Sequence, residues 1–384
     1  MELTRRNRNS YTASWKSYHI VLSGSNRAYL LLVSPPTPTH PQPGGATPPG
    51  LITLPALSTV LTKILDTTAV PVPRPVAHDV EGKWPFGWLL LRVPDSPQTH
   101  PSMSLTSIRE KLSPGQLTSI ELRLGTYLRA LHGITNDQFG VPKDKPAQEH
   151  PSVLPSLTAL FAASQTGEDG KGYEEDMMPY NWQDTFVLQL EELLEYVCSN
   201  SRTHDAAPPD SMDFDVDELR RSLTRAIGSF LFEDVELPRL IWVTGNEEDV
   251  ILSLTPGKGG KQSSDGNGTA SEESTEADIA YILPTFGHAL WGDPLMETWF
   301  LPPGPTTVMK EGYFGGEGGT LITFPRHETK RVWYTVYLAL VVLAEGMSQG
   351  GEGKTTQKAD RETTRWARSI LPECVEILKN APCY

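Results

Sequence analysis

The residues best suited to chemistry lie in the second half of the chain. Glu247, Glu248 and Asp249 form an acidic run within PRLIWVTGNEEDVILS, Pro238 to Ser253. Adjacent carboxylates can hold a cation or an amine, but the plainer reading, taken here, is a solvated turn ahead of a strand. His288 has the chemistry of an acid, a base or a ligand, although a lone histidine is more often packed and satisfied. Asp293 adds a carboxylate in Gly-Asp-Pro. Thr244 is neutral at every relevant pH and cannot be a carboxylate base. Thr285 offers one weakly coordinating hydroxyl where a hard cation wants charged oxygen. Trp242 brings bulk and a single N–H donor. No GxGxxG or GxxxxGK[ST] phosphate loop is present, and GKGGK at Gly257 lies in a low-complexity stretch. A serine nucleophile elbow, Cys/His pairing and zinc-type ligand spacing are also absent.

The elements that must position these residues fall into two groups. Ser17–Leu22 and Ala28–Val33 are short β-rich runs separated by Ser-Gly-Ser-Asn, a hairpin signal. A Pro/Gly/Thr loop spans Ser34 to Gly50, and Leu54–Leu65 follows with helical periodicity. VPVPRPVAHDV then leads to a strand at Trp88–Val93. Strand, strand, helix, strand, strand predicts a small α+β lobe.

From Leu105 the periodicity turns helical. Pro114–Leu131 places Leu117, Ile120, Leu124, Tyr127, Leu128 and Leu131 on one stripe, with Pro114 suited to the first turn. Further helices are predicted at Trp182–Cys198, Val216–Phe232, Lys330–Glu345 and Arg361–Leu378, and two strands at Asp249–Leu254 and Ile279–Leu283. The polar segments 164–178, 199–213 and 256–277 read as disordered surface insertions. The division expected is a small lobe over 1–98 and a helical lobe over 99–384.

Bulk properties narrow the function classes. The chain has 384 residues, enough for two lobes sharing a cleft. A net charge of −14 disfavours nucleic acid or an anionic membrane as the main partner. Cys198, Cys374 and Cys383 form no disulfide framework, which favours a reducing, cytoplasmic setting. The basic N-terminus lacks the apolar run of a secretory signal. Val336–Ala344 is too short to span a bilayer and reads as a buried helix.

Several segments resemble the aminoglycoside-phosphotransferase and choline-kinase-like superfamily. LGTYLRALHGITNDQFG, Leu124 to Gly140, is similar to its helix ending in Leu-His shortly before Phe-Gly. GHALWGDPLME, Gly287 to Glu297, resembles the segment after the metal-binding position in the fungal form of the family. VPVPRPVAHDVEGKWPFGWLLLRVPDS resembles the approach to the hinge, and KEGYFG and KRVWYTVYLALVVLAEG the helices closing the large lobe. The matches are collinear and cover most of the chain. The resemblance implies a two-lobed, protein-kinase-like α+β fold.

It also implies a set of phosphoryl-transfer positions: a strand Lys, a helix Glu, a catalytic Asp, a metal-binding Asn and a second Asp for Mg²⁺. Aligned on the family pattern, Leu32 stands at the Lys, Ala56 or Leu57 at the Glu, and Thr244 at the catalytic Asp. Asp249 stands at the Asn, Thr285 at the metal Asp and Trp242 at the loop His, where it fills the phosphate site. His288 replaces a usual Arg. Asp293 and His132 take structural roles, Asp293 holding the turn after it. Because Asp249 occupies a former metal position, a rebuilt cation or amine site is the functional reading of the acidic run, set against the solvated turn preferred above. The expectation is a degenerate kinase, a pseudokinase that binds a small molecule or a protein partner, with no ATP or Mg²⁺ cofactor and no metal. The candidate cleft residues are Trp242, Glu248, Asp249, His288 and Asp293, and the alternative is an enzyme of different chemistry acting on a small organic metabolite in the inter-lobe cleft, with His288, Asp249 or Asp293 as proton-transfer groups. A residual ATP-dependent phosphotransferase is a third possibility.

Overall fold

A computed structural model describes residues 2–5, 15–22, 27–34, 48–79, 84, 86–94, 103–144, 181–204, 214–256, 275–315, 325–348 and 358–382. The fold is a two-lobed α+β arrangement. The small lobe holds β1 (Glu2–Arg5), β2 (Lys16–Val21), β3 (Ala28–Val33), α1 (Leu54–Thr67), β4 (Arg74–His78) and β5 (Trp88–Arg92). Its strands pair antiparallel in the order β1-β2-β3-β5-β4.

Period-two alternation sets the buried face of this sheet. Leu30 pairs with Leu91 and Leu32 with Leu89, and all four are buried. Helix α1 begins at Thr53, whose hydroxyl accepts from the Ala56 amide at 3.2 Å, with Pro55 in the first turn. Its stripe of Ala56, Leu57, Val60, Leu61 and Ile64 is buried. Two strands were not predicted in place. β1 is ELTR, too polar and short to show alternation. β4 contains Pro75, which the sheet tolerates because β4 lies at its edge.

The large lobe contains β6 (Met103–Ser104), α2 (Leu105–Ile108), α3 (Pro114–His132), α4 (Trp182–His204), α5 (Val216–Gly228), β7 (Arg239–Ile241), β8 (Val250–Pro256), β9 (Thr275–Ile282), β10 (Leu290–Gly292), α6 (Thr307–Phe314), α7 (Pro325–Ser348) and α8 (Lys358–Asn380). A capping box between Ser113 and Gln116 starts α3, with Pro114 in its first turn. Residues 336–344 of α7 are buried throughout. Among the described residues no helix is long and apolar enough to cross a membrane.

The predicted insertions are trimmed by regular structure. Helix α4 continues through 204, and the β8–β9 ladder runs from Val250↔Ile282 out to Pro256↔Thr275. Residues 257–274, 205–213, 35–47 and the whole of 164–178 lie outside the described residues. Two apolar cores result. One joins α4, α5, α7 and α8. The other is continuous from the β3/β5 leucines and α1 into Trp242, Phe286 and the β8–β9 hairpin. This second core positions the candidate site.

Candidate functional site

Strands β7 and β10 pair antiparallel, Ile241 with Leu290, which brings the loop 242–249 against 283–289. There the Trp242 indole is fully buried and stacks on Phe286, ring centroids 5.3 Å apart. Its Nε1 donates to the Thr285 carbonyl at 3.2 Å and to Thr285 Oγ1 at 3.1 Å. Thr244 Oγ1 donates to the same carbonyl at 3.1 Å. Gly245 lets the loop fold over the indole, since a Cβ there would lie 2.3 Å from Trp242 Cδ2. Leu32, Ala56 and Leu57 belong to the same core. The arrangement is neutral and internally hydrogen-bonded. Among the described residues no group of three or more His, Cys, Asp or Glu is placed to hold a metal ion.

The acidic run is not the solvated turn predicted for it. Residues Glu247–Asp249 form one 3₁₀ turn, and Asp249 is fully buried. The cause is a reciprocal cap: Asn246 Oδ1 accepts from the Glu248 amide at 2.8 Å, and Asp249 Oδ2 accepts from the Asn246 amide at 3.3 Å. Arg109 Nη1 donates to Glu247 at 2.6 Å, and the Ser104 hydroxyl to Glu248 at 3.0 Å. Burial pushes the Glu247 carboxyl above its ordinary value; Arg109 opposes this, and the charges of Glu121 and Glu248 add to it.

His288 is buried, its Nε2 2.7 Å from Glu345 Oε1. Its Nδ1 has no hydrogen-bond partner among the described residues. Small-lobe residues close over this point: the Ile52 amide donates to the Gly287 carbonyl at 2.8 Å, and Gly50 stands beside Nδ1. Asp293 caps the turn Pro294–Met296, Oδ1 accepting from the Leu295 amide at 3.0 Å. Its Oδ2 accepts from Tyr334 at 2.7 Å and pairs with buried Lys330 at 2.5 Å. His288 and Asp293 are therefore held by Glu345 and Tyr334, eleven residues apart on α7, or about 16 Å at ~1.5 Å per residue. They do not converge.

One buried polar chain was assigned no collective role from sequence. Glu297 Oε2 accepts from the Trp242 amide at 2.9 Å and lies 3.2 Å from His132 Nε2. His132 Nδ1 is 2.8 Å from the Tyr313 hydroxyl. With Nε2 protonated toward Glu297, Tyr313 donates to Nδ1. Burial pushes Glu297 up, offset by His132 and the Trp242 and Thr298 amides. Burial, then the Glu297 charge, pushes Tyr313 to about 12. The fold, rather than a local motif, assembles this chain.

No protein-family model matches the chain, and no curated protein matches it. Solved structures with a similar overall arrangement include a Ralstonia eutropha protein assigned as an aminoglycoside phosphotransferase, at 12% identity and TM-score 0.49, covering 99% of this chain and 93% of that one. An ethanolamine kinase of Plasmodium vivax aligns at 10% identity and TM-score 0.47, covering 97% and 81%. A choline kinase of Streptococcus pneumoniae aligns at 10% identity and TM-score 0.46, covering 97% and 94%. The architecture described above stands on its own strands and helices rather than on these likenesses.

Proposed function

We propose that the chain is a catalytically degenerate relative of the aminoglycoside phosphotransferases, binding a small molecule or a partner without transferring phosphate. The observation that carries this reading is the closed network of Trp242, Thr244 and Thr285, which are 0%, 1% and 0% exposed and bond to one another. Phosphoryl transfer works by positioning and by neutralising charge with metal ions and cationic side chains. At the positions that the sequence resemblance aligns with those groups stand an indole stacked on Phe286 and two neutral hydroxyls. Apolar Leu32, Ala56 and Leu57 continue the same core. Use of the inter-lobe region for another reaction is disfavoured because His288 and Asp293 are held by residues a full eleven positions apart on α7, Glu345 and Tyr334.

Calorimetric titration of ATP and GTP, with and without Mg²⁺ or Mn²⁺, tests the proposal. The expected result is no heat and no thermal stabilisation at millimolar nucleotide. Metal-dependent nucleotide binding would sink it, and Asp249 would then be the first residue to mutate.

A further inference from the structure

Helix α5 closes on a pair of backbone bonds. The Phe230 amide donates to the Ile227 carbonyl at 3.0 Å, and the Leu231 amide to the Ala226 carbonyl at 3.1 Å. This ending needs a left-handed residue just past the helix, usually glycine because it has no Cβ. Here that residue is Phe230, at φ 56°, and it is the one non-glycine residue with positive φ among the described residues. A bulky side chain in this conformation carries a steric cost. Burial does not offset it: Phe230 is 59% exposed, whereas Leu231 and Phe232 beside it are fully buried. Folding alone would favour glycine at 230, and backbone strain of this kind clusters where proteins bind or switch. The last turn of α8 meets this end of α5, because Arg225 donates to the Leu378 and Lys379 carbonyls, both at 2.7 Å. Ile377, 54% exposed, lies on that turn. Glu233 and Glu236 are exposed on the segment after Phe230, and Glu373 and Glu376 near the end of α8. Against these four carboxylates stand the cations of Arg225 and Lys379.

We propose that Phe230 anchors a docking surface for a basic segment of another protein. That segment seats an apolar side chain against the exposed ring and turns Lys or Arg toward the surrounding carboxylates. Exposed aromatic rings serve well as interface anchors, giving large contact area at a small entropy cost. Charge selects the occupant. A second copy of this chain, at net charge −14, would set the same carboxylates against one another. Nucleic acid or an anionic bilayer would be repelled for the same reason. This inference deepens the partner reading above by giving it a surface and a partner class, and it rests on that reading.

The test is panning of a phage-displayed random peptide library on the full chain, followed by titration of the enriched sequences as synthetic fluorescent peptides. Enriched peptides should carry Lys or Arg beside an aliphatic or aromatic residue, and added salt should weaken them. Phe230→Gly and Phe230→Ala should each bind them about ten-fold or more weakly, the scale of a lost anchor. Urea unfolding separates binding from structure: Phe230→Gly should unfold at a higher urea concentration than the unaltered protein, because strain is relieved and no packing is lost. A lower midpoint would make the ring structural and overturn the proposal. Acidic or uncharged enriched peptides, equal binding by Phe230→Gly, or no enrichment would each overturn it as well. So would a dimer in sedimentation, or binding to phosphatidylserine vesicles, that is lost in Phe230→Gly, since either hands the surface to a different occupant. Titrating Mg·ATP into the same samples keeps the two readings apart. Nucleotide binding with the Phe230-dependent peptide binding intact removes the degenerate-kinase reading and leaves the surface. Silence toward both the library and ATP removes the surface and leaves the degenerate-kinase reading standing.

Discussion

The core around the Trp242 indole and the Lys330–Asp293 pair of α7 are both buried and both polar, yet they are built in opposite ways. Around the Trp242 indole every contribution is neutral: its own N–H, two threonine hydroxyls and a carbonyl, closed on one another under an aromatic stack. At α7, Lys330 pairs with Asp293 at 2.5 Å and with Asp234 at 2.7 Å, and Arg326 also reaches Asp234 at 2.9 Å. Charge is thus absent from the contacts of the indole and concentrated where it ties a helix to a turn. A buried charge is costly unless paired, so the two regions should respond differently to mutation.

The largest effect should come from Lys330→Met. It orphans one deeply buried carboxylate and weakens the hold on another, which predicts a loss of about 3–5 kcal/mol in urea unfolding. Loss of under ~1 kcal/mol would mean that the α7 charges are not what distinguishes it. A pH dependence accompanies this. Burial alone would raise the Asp234 carboxyl, but the Lys330 and Arg326 charges outweigh it and hold it below its ordinary value. A depressed carboxyl contributes stability above its unfolded value of ~3.9, and that contribution disappears as pH falls through the folded value. The acid limb of the stability profile should flatten in Lys330→Met.

Trp242→Ala attacks the other region. Removing a fully buried indole from a core that cannot collapse completely should cost about 3–5 kcal/mol. Unlike Lys330→Met, it should change no pH slope, because no ionised partner is left behind at the indole. A cost below ~2 kcal/mol would show that the loop relaxes into the space, and nucleotide binding should then be remeasured in that variant. Gly245→Ala is a milder probe of the same packing. The added Cβ meets the indole, a rigid neighbour, and overpacking of this kind costs about 1–3 kcal/mol. A neutral result there would mean that the loop does not press on Trp242.

The contrast was only partly legible in the sequence. Ala28–Val33 and the stripe of α3 follow their periodicity, because burial of one face dictates both. That Thr244 and Thr285 bring no ionisable group was visible from residue types alone, since a hydroxyl has no ionised form to offer. What those residues bond to was not. β1 and β4 escaped because an edge strand can be short, polar or proline-containing. The burial of Asp249 escaped because a reciprocal cap and a solvated acidic turn use the same letters, Asn-Glu-Glu-Asp. The His132 contacts join residues 165 and 181 positions apart, a distance at which no local pattern carries information.

Glu297→Gln gives the smallest expected effect and bears most directly on the comparison, because Glu297 touches the Trp242 loop through the Trp242 amide. Burial raises this carboxyl, so the folded protein favours its neutral form. A raised carboxyl contributes stability below its unfolded value of ~4.3 and loses that contribution as pH rises through the folded value. Glutamine keeps an acceptor for the Trp242 amide and for His132 while staying neutral at every pH. The substitution should change stability at pH 7 by less than about 1 kcal/mol, the scale of one neutral hydrogen bond. Relative to the unaltered protein, it should gain as pH rises past ~4.3. A large loss at pH 7 with the opposite slope would show an ionised Glu297 held by protonated His132. The neutral construction around Trp242 would then stop at its own amide, with a buried ion pair directly behind it.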